Sequence, residues 1–319
     1  MVAFFIRRIL QSIVVLLIVT LITFGLLRMI PGNVAVAVMG PGAYRNPQAI
    51  KLFNATYGFD LPWYRQYFLW LGHLARGNLG FSWTLNQSVA SLLASHMTKT
   101  IALVGLSTLL ALVLAIPIGV IQAVRRNKLT DHVFNAFSTI FYATPAFLIG
   151  IVAILIFSIK FPIFPPEGPQ GEGPGAIITN FNALILPVCT LALVTIALFS
   201  RYMRSSVLDN LTEDYVRTAR AKGASERRVL MRHVLRNSLI PIATLLGLSL
   251  PGILAGALIT ESVFNYPGMG YLFYQAALKQ DYPTLLGFTV VVALATVVGS
   301  LLADIAYAVL DPRVRYVSS

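Results

Sequence analysis

A chain of 319 residues that is 57% hydrophobic and only 11% charged carries more apolar surface than one soluble core can hide, so its composition places it in a bilayer. Its formal charge of +12 would in a soluble chain suggest nucleic acid. Here the Lys and Arg cluster in short segments beside apolar runs, the distribution that orients membrane proteins and argues against a nucleic-acid partner.

Six apolar segments are long enough to cross hydrocarbon: about 9–30, 100–124, 133–159, 182–200, 238–260 and 285–309. The first follows Arg7 and Arg8, as in a secretory signal. It runs for about 20 residues with no clear small-residue cleavage site after it, so it is expected to stay as the first span. An even count puts both termini on one side. Arg7 and Arg8, the Arg125–Lys128 turn, the stretch from Arg201 to Arg236, and Arg313 with Arg315 hold most of the 24 Lys and Arg, which predicts both termini inside.

Residues 31–98 are expected to form a small helical cap on the outer side. They hold Gly58-Phe59-Asp60-Leu61-Pro62-Trp63-Tyr64, then Tyr67, Phe68 and Trp70, then the run from Gly77 to Trp83. Such aromatics suit an interfacial belt or a docking surface for a partner outside the membrane, with Trp63, Tyr64 and Trp83 as the candidates. In the third span Pro145 frees a backbone carbonyl and predicts a kink that could line a cavity. The Pro- and Gly-rich stretch from Pro162 to Pro174, with Glu167 and Glu172, reads as an exposed, partly rigid connection. The single cysteine, Cys189, excludes an internal disulfide and, inside an apolar run, reads as a small core residue.

A charged island runs from Thr212 to Asn237. Thr212 can cap a helix, and Glu213 and Asp214 put negative charge on its first turn. Gly223 ends that helix. Ser225 and Glu226 start a second, with Arg228, Arg232 and Arg236 on one face and Leu230, Met231, Val234 and Leu235 on the other. A basic amphipathic segment of this kind can lie on lipid headgroups or dock on a partner. The fifth span carries Gly252 and Gly256 at a spacing that lets helices approach closely. It leads into Glu261-Ser262-Val263-Phe264-Asn265-Tyr266-Pro267-Gly268-Met269-Gly270, and Asp281-Tyr282-Pro283 follows.

The island resembles the EAA loop of binding-protein-dependent ABC importer permeases, in which a short helix docks into a cleft on a cytoplasmic ATPase. The family glycine falls on Gly223 and the second alanine on Ala219. Arg217 stands where the family has glutamate, Thr218 where it has the first alanine, and Asn237 where proline is usual. These departures match the peptide and nickel branch. The Gly58–Pro62 run, the Glu261–Gly270 run and the closing Leu310-Asp311-Pro312-Arg313-Val314-Arg315-Tyr316 look like the same family.

The resemblance implies an all-α membrane protein with six transmembrane helices in the type I ABC importer permease fold. Its parts would be a first helix (1–30), an extracytoplasmic cap (31–98), a core (99–309) containing the coupling loop 201–237, and a cytoplasmic C-terminus (310–319). It implies a non-catalytic subunit of an importer in the cytoplasmic membrane, acting on dipeptides or oligopeptides, with nickel, glutathione and haem as alternatives. Partners would be a second permease, two ATP-binding-cassette subunits and an extracytoplasmic binding protein. Coupling would fall to Tyr215, Arg217, Ala219, Arg220, Ala221, Lys222, Gly223 and Glu226. A gate would fall to Pro145, Glu261, Pro267, Gly268, Met269 and Gly270.

The residues themselves agree that energy comes from elsewhere. No Gly-x-x-x-x-Gly-Lys-Ser/Thr loop is present, so ATP and magnesium belong to the partner ATPases and no cofactor is expected on this chain. His73, His96, His132 and His233 are scattered singly and predict no metal site. Apart from Glu261 and Asp304 near span ends, the spans lack the acidic residues by which secondary transporters couple ions. A secondary transporter, a channel or a receptor would also have no need of a helix-Gly-helix docking element.

Overall fold

The computed structural model describes residues 2–29, 34–171 and 173–310. Arg313, Arg315 and the closing motif from Asp311 onward, Glu172, Pro31 and the side chain of Asp304 lie outside the described residues. Helix α1 (Val2–Met29) leads into α2 (Val34–Met39), α3 (Pro47–Tyr57) and α4 (Trp63–Ala75), then a two-residue antiparallel ladder of β1 (Phe81–Ser82) and β2 (Gln87–Ser88). The expected cap is therefore helical with a small hairpin. Helix α5 (Val89–Val124) begins at Val89, where Ser88 Oγ accepts the Ser91 N–H at 3.2 Å and caps the helix.

Helix α6 (Leu129–Ala143) and α7 (Ala146–Ile154) meet at Thr144-Pro145. The expected kink is a break of 99° between the two halves, since Thr144 is extended and Pro145 begins a new helix instead of bending an old one. A π-helical turn at Leu155–Lys160 ends that arm. After α8 (Gly173–Thr179) comes α9 (Phe181–Leu211), then α10 (Asp214–Ala221) and the short α11 (Glu226–Arg228). A π turn over Val229–Val234 joins α11 to α12 (Leu235–Ala255), and α13 (Leu258–Val263), α14 (Met269–Leu278) and α15 (Tyr282–Leu310) complete the chain.

Among the described residues four helical stretches are long and apolar enough to span: Leu10–Met29, Val89–Val124, Phe181–Leu211 and Tyr282–Ser300. Counted as one span, the bent pair of α6 with α7 and its π turn would be a fifth. Helices α5 and α9 form the central pair. On α5 the buried positions Leu103, Ser107, Ala111, Ala115, Gly119 and Ala123 recur every four residues, a ridge of mostly small side chains that lets α9 approach. At Gly119 an added Cβ would come within 2.6 Å of the Met203 Cβ and 2.7 Å of the Ser200 carbonyl, so only glycine fits. Asp131 ties α6 to α9 by accepting two bonds from the Arg204 guanidinium, at 2.8 and 2.9 Å, and Ser138 and Ser200 share a buried hydrogen bond at 3.1 Å.

One expectation is corrected at the level of packing. Cys189 is exposed, in a groove between α5 and α9 lined by Leu106, Val113 and Ile185, because the helix turns that face outward. The Pro- and Gly-rich connection is anchored at its centre: the Gly168 N–H donates to the Phe264 carbonyl at 2.7 Å and Gln170 Nε2 donates to the Asn265 carbonyl at 2.8 Å.

Candidate functional site

The charged loop folds back on the bundle end. Thr212 caps differently from expectation: its hydroxyl donates to the Asp209 carbonyl at 2.8 Å and closes α9, while Glu213 stands at the start of α10 without a side-chain cap. Gly223 ends α10 with φ +79°, the left-handed region, and a Cβ there would meet open space. The chain then re-enters helix at Glu226. The Arg220 guanidinium donates to Glu226 at 2.8 and 3.1 Å across the turn. That contact holds the Glu226 carboxyl below the usual glutamate range and raises Arg220.

Val216 and Ala219 turn inward and pack with Met203 and Val207 of α9, Val229 and Val234 of the π turn, and Ile242 of α12. Ala219 is only 8% exposed, so its small size is required by this chain's own core. Tyr215 donates its O–H to Asn210 Oδ1 at 2.6 Å. Arg217, Arg220, Ala221, Lys222 and Gly223 lie exposed on the outer side. The apolar face expected of the second helix is shifted. Val229 and Val234 are fully buried and Met231 is 56% exposed, because the π turn separates inward positions by five residues instead of four. Between α10 and the π turn lies an open cavity of about 600 Å³ lined by Thr218, Lys222, Arg228, Arg232 and His233 among others.

At the opposite end of α12, Gly256 (φ +89°) breaks the helix, so the Gly252 and Gly256 spacing serves a turn and not a helix seam. Glu261 on α13 is fully buried, and among the described residues no salt bridge to it is found. Its Oε1 accepts the Thr100 hydroxyl at 2.8 Å and the Ala257 N–H at 3.3 Å, and its Oε2 accepts the Tyr271 N–H at 2.9 Å, in the first turn of α14. Thr100 Oγ1 in turn accepts the Met269 N–H at 2.7 Å. A Cβ on Gly268 would enter the Glu261 carboxylate, and one on Gly270 would lie 2.5 Å from the Leu258 Cα. Tyr266, also fully buried, donates its O–H to the Lys99 carbonyl at 2.8 Å. Glu261, Gly268, Met269 and Gly270 thus form one close-packed node on α5. Pro267 adjoins it. Pro145 is not part of it, although Gly150 of the same arm packs on the Phe264 ring, 3.1 Å from an added Cβ.

In the cap, Trp63 (56% exposed) and Tyr64 present an edge-to-face pair on the surface of α4 with centroids 6.2 Å apart. Trp83 is separate from them. It is wedged edge-on against Phe53, Tyr57 and Phe59 at 5.7, 4.9 and 5.9 Å, as part of the cap's own core.

Residues 115–316 match the family described as the binding-protein-dependent transport system inner membrane component, and residues 1–104 match the N-terminal part of the same membrane components. The chain belongs to this permease family. The oligopeptide transport system permease protein AppB of Bacillus subtilis is 38% identical to the permease described here, with 99% of this chain and 100% of that protein covered. The oligopeptide permease OppB of Haemophilus influenzae is 35% identical, and the glutathione transport system permease GsiC of Escherichia coli K12 is 33% identical, each with 99% of this chain and 100% of the relative covered. Among solved structures, an inward-facing MetNI methionine ABC transporter matches with a TM-score of 0.51 and 16% identity, covering 68% of this chain and 97% of that chain. The permease therefore has the ABC importer permease fold.

One part of the permease escaped the sequence reading. Asp281, 2% exposed at the start of α15, accepts through Oδ2 the hydroxyls of Ser82, of Thr84 at 2.8 Å and of Thr284 at 2.9 Å. These bonds fasten the cap to the core across almost two hundred residues of sequence. The motif Asp281-Tyr282-Pro283 was visible, but its hydroxyl partners were not, because isolated Ser and Thr carry no periodic signal.

Proposed function

We propose that this permease forms half of the path by which an ATP-driven importer takes up short peptides delivered by an extracytoplasmic binding protein. The observation that carries this reading is likeness along the whole chain to the oligopeptide permeases of two bacteria. A second permease would supply the other half, and two ATPase subunits holding ATP and magnesium would drive it. Glutathione, itself a short peptide, is the second reading, favoured by the full-length likeness to a glutathione permease.

Six spans are proposed, with α12 as the sixth: its 21 residues would extend about 31 Å at ~1.5 Å per residue, enough for the hydrocarbon core. The termini and α10 would face the cytoplasm and the cap the outside. Docking of an ATPase on the exposed side of α10 would press on Val216 and Ala219, which share one core with α9 and α12. Helix α12 ends against the Glu261 node, where Gly256 approaches Gly270. Motion of α12 would therefore reach the segment Pro267–Gly270, proposed as the outer gate, and Trp63 with Tyr64 would meet the binding protein. The test is uptake by the reconstituted complex across peptides of different length, glutathione, nickel chelates and haem. Peptide uptake with ATP hydrolysis is expected, and uptake of nickel or haem alone would overturn the substrate assignment.

A further inference from the structure

The cap, the outer end of α1 and the start of α15 enclose a cavity of about 270 Å³ that neither the coupling loop nor the Glu261 node uses. Aromatic rings line much of it, including those of Phe24, Trp70 and Trp83. One cationic side chain stands in this apolar setting. The Arg28 guanidinium sits over the Phe24 and Phe59 rings, 5.8 and 5.6 Å from their centroids, and no carboxylate pairs with it among the described residues.

Position decides which anion fits. Arg28 stands at the last turn of the apolar stretch Leu10–Met29, where hydrocarbon gives way to headgroups. That stretch is only 17% buried and rests mainly on α15, so it lies at the periphery of the bundle, where lipid reaches it. A peptide on a central path would not come this way. With the orientation proposed above, we infer that the cavity is a binding site for an anionic phospholipid of the outer leaflet, with the phosphate on Arg28 and the adjoining glycerol and acyl carbons against the aromatic rings that line it. The bound lipid would fill the seam between α1 and the cap.

The permease has three tryptophans, of which Trp70 and Trp83 line the cavity and Trp63 does not. The full chain carrying Trp63→Phe, reconstituted in phosphatidylcholine vesicles, can be titrated with brominated phosphatidylglycerol or brominated phosphatidylcholine while tryptophan quenching is followed. One basic side chain at an anionic surface predicts half-maximal quenching at about a fivefold lower fraction of the anionic lipid. Arg28→Lys should keep that preference and Arg28→Gln should erase it, with emission maxima unchanged as a check that the cap remains folded. Equal quenching by the two lipids, or a preference that survives Arg28→Gln, overturns the site. So does an emission shift caused by a soluble peptide with a free C-terminal carboxylate but not by its amide, which would give the cavity to peptide instead.

Discussion

Single glycines test the Glu261 node most cleanly. Gly268 has φ −94°, which any residue tolerates, so a substitution there acts through volume alone. The new methyl would enter the space of the Glu261 carboxylate, whose position is set by Thr100, Ala257 and Tyr271. Gly268→Ala is expected to destabilise by ~1–3 kcal/mol. Gly252, in helix and with nothing within 4 Å of an added Cβ, should accept alanine neutrally or gain ~0.5–1 kcal/mol. Thermal denaturation of the solubilised transporter measures both, and equal melting temperatures for the two variants would count against the node. In the sequence Gly252 and Gly256 look equivalent. What separates them from each other and from Gly268 is what stands opposite, which no spacing reports.

At the scale of the element, α10 presents two alanines with different environments. Ala219 faces the core it shares with Met203, Val207 and Ile242, so Ala219→Arg buries a charge and disrupts the loop itself. Ala221 is exposed and touches none of that core. Ala221→Arg should therefore leave the melting temperature and pairing with the second permease unchanged while abolishing substrate-stimulated ATPase activity, if the outer side of α10 is the docking surface. Normal stimulation by this variant would return the loop to a lipid-surface role. Gly223→Leu is predicted to lose stimulation for a different reason: the space is open, but φ +79° costs a branched side chain about 1–2 kcal/mol. The helix-Gly-helix order was legible from Gly223 and Ser225. The buried face was not, since a π turn moves it by a residue and leaves no mark in composition.

For the whole molecule the charge distribution predicts the orientation. Most Lys and Arg lie in segments expected on the same side as the Arg201–Arg236 stretch, and the prediction is that Asn78, exposed in the cap, lies on the opposite side. With Cys189→Ser as background, Asn78→Cys should react with a membrane-impermeant maleimide added outside intact cells. Reaction only after the cytoplasmic face is opened would invert the topology and, with it, the assignment of α10 to the ATPase.

Apolar length determined the membrane class, and the motifs from Gly58 to Gly270 determined the permease family, because both are local properties that a linear pattern records in full. Tertiary structure decided the rest. It turned the Pro145 kink into a 99° break, placed Trp83 in the cap core away from Trp63 and Tyr64, and pinned the cap through Asp281 to Ser82 and Thr84. It also closed the ring of donors around Glu261, which in the sequence was a lone acid at a span end. Each of these depends on which groups the fold brings together from separate elements or on the direction a helix takes after a break. Neither is encoded at the position itself, only in the packing that the whole chain reaches.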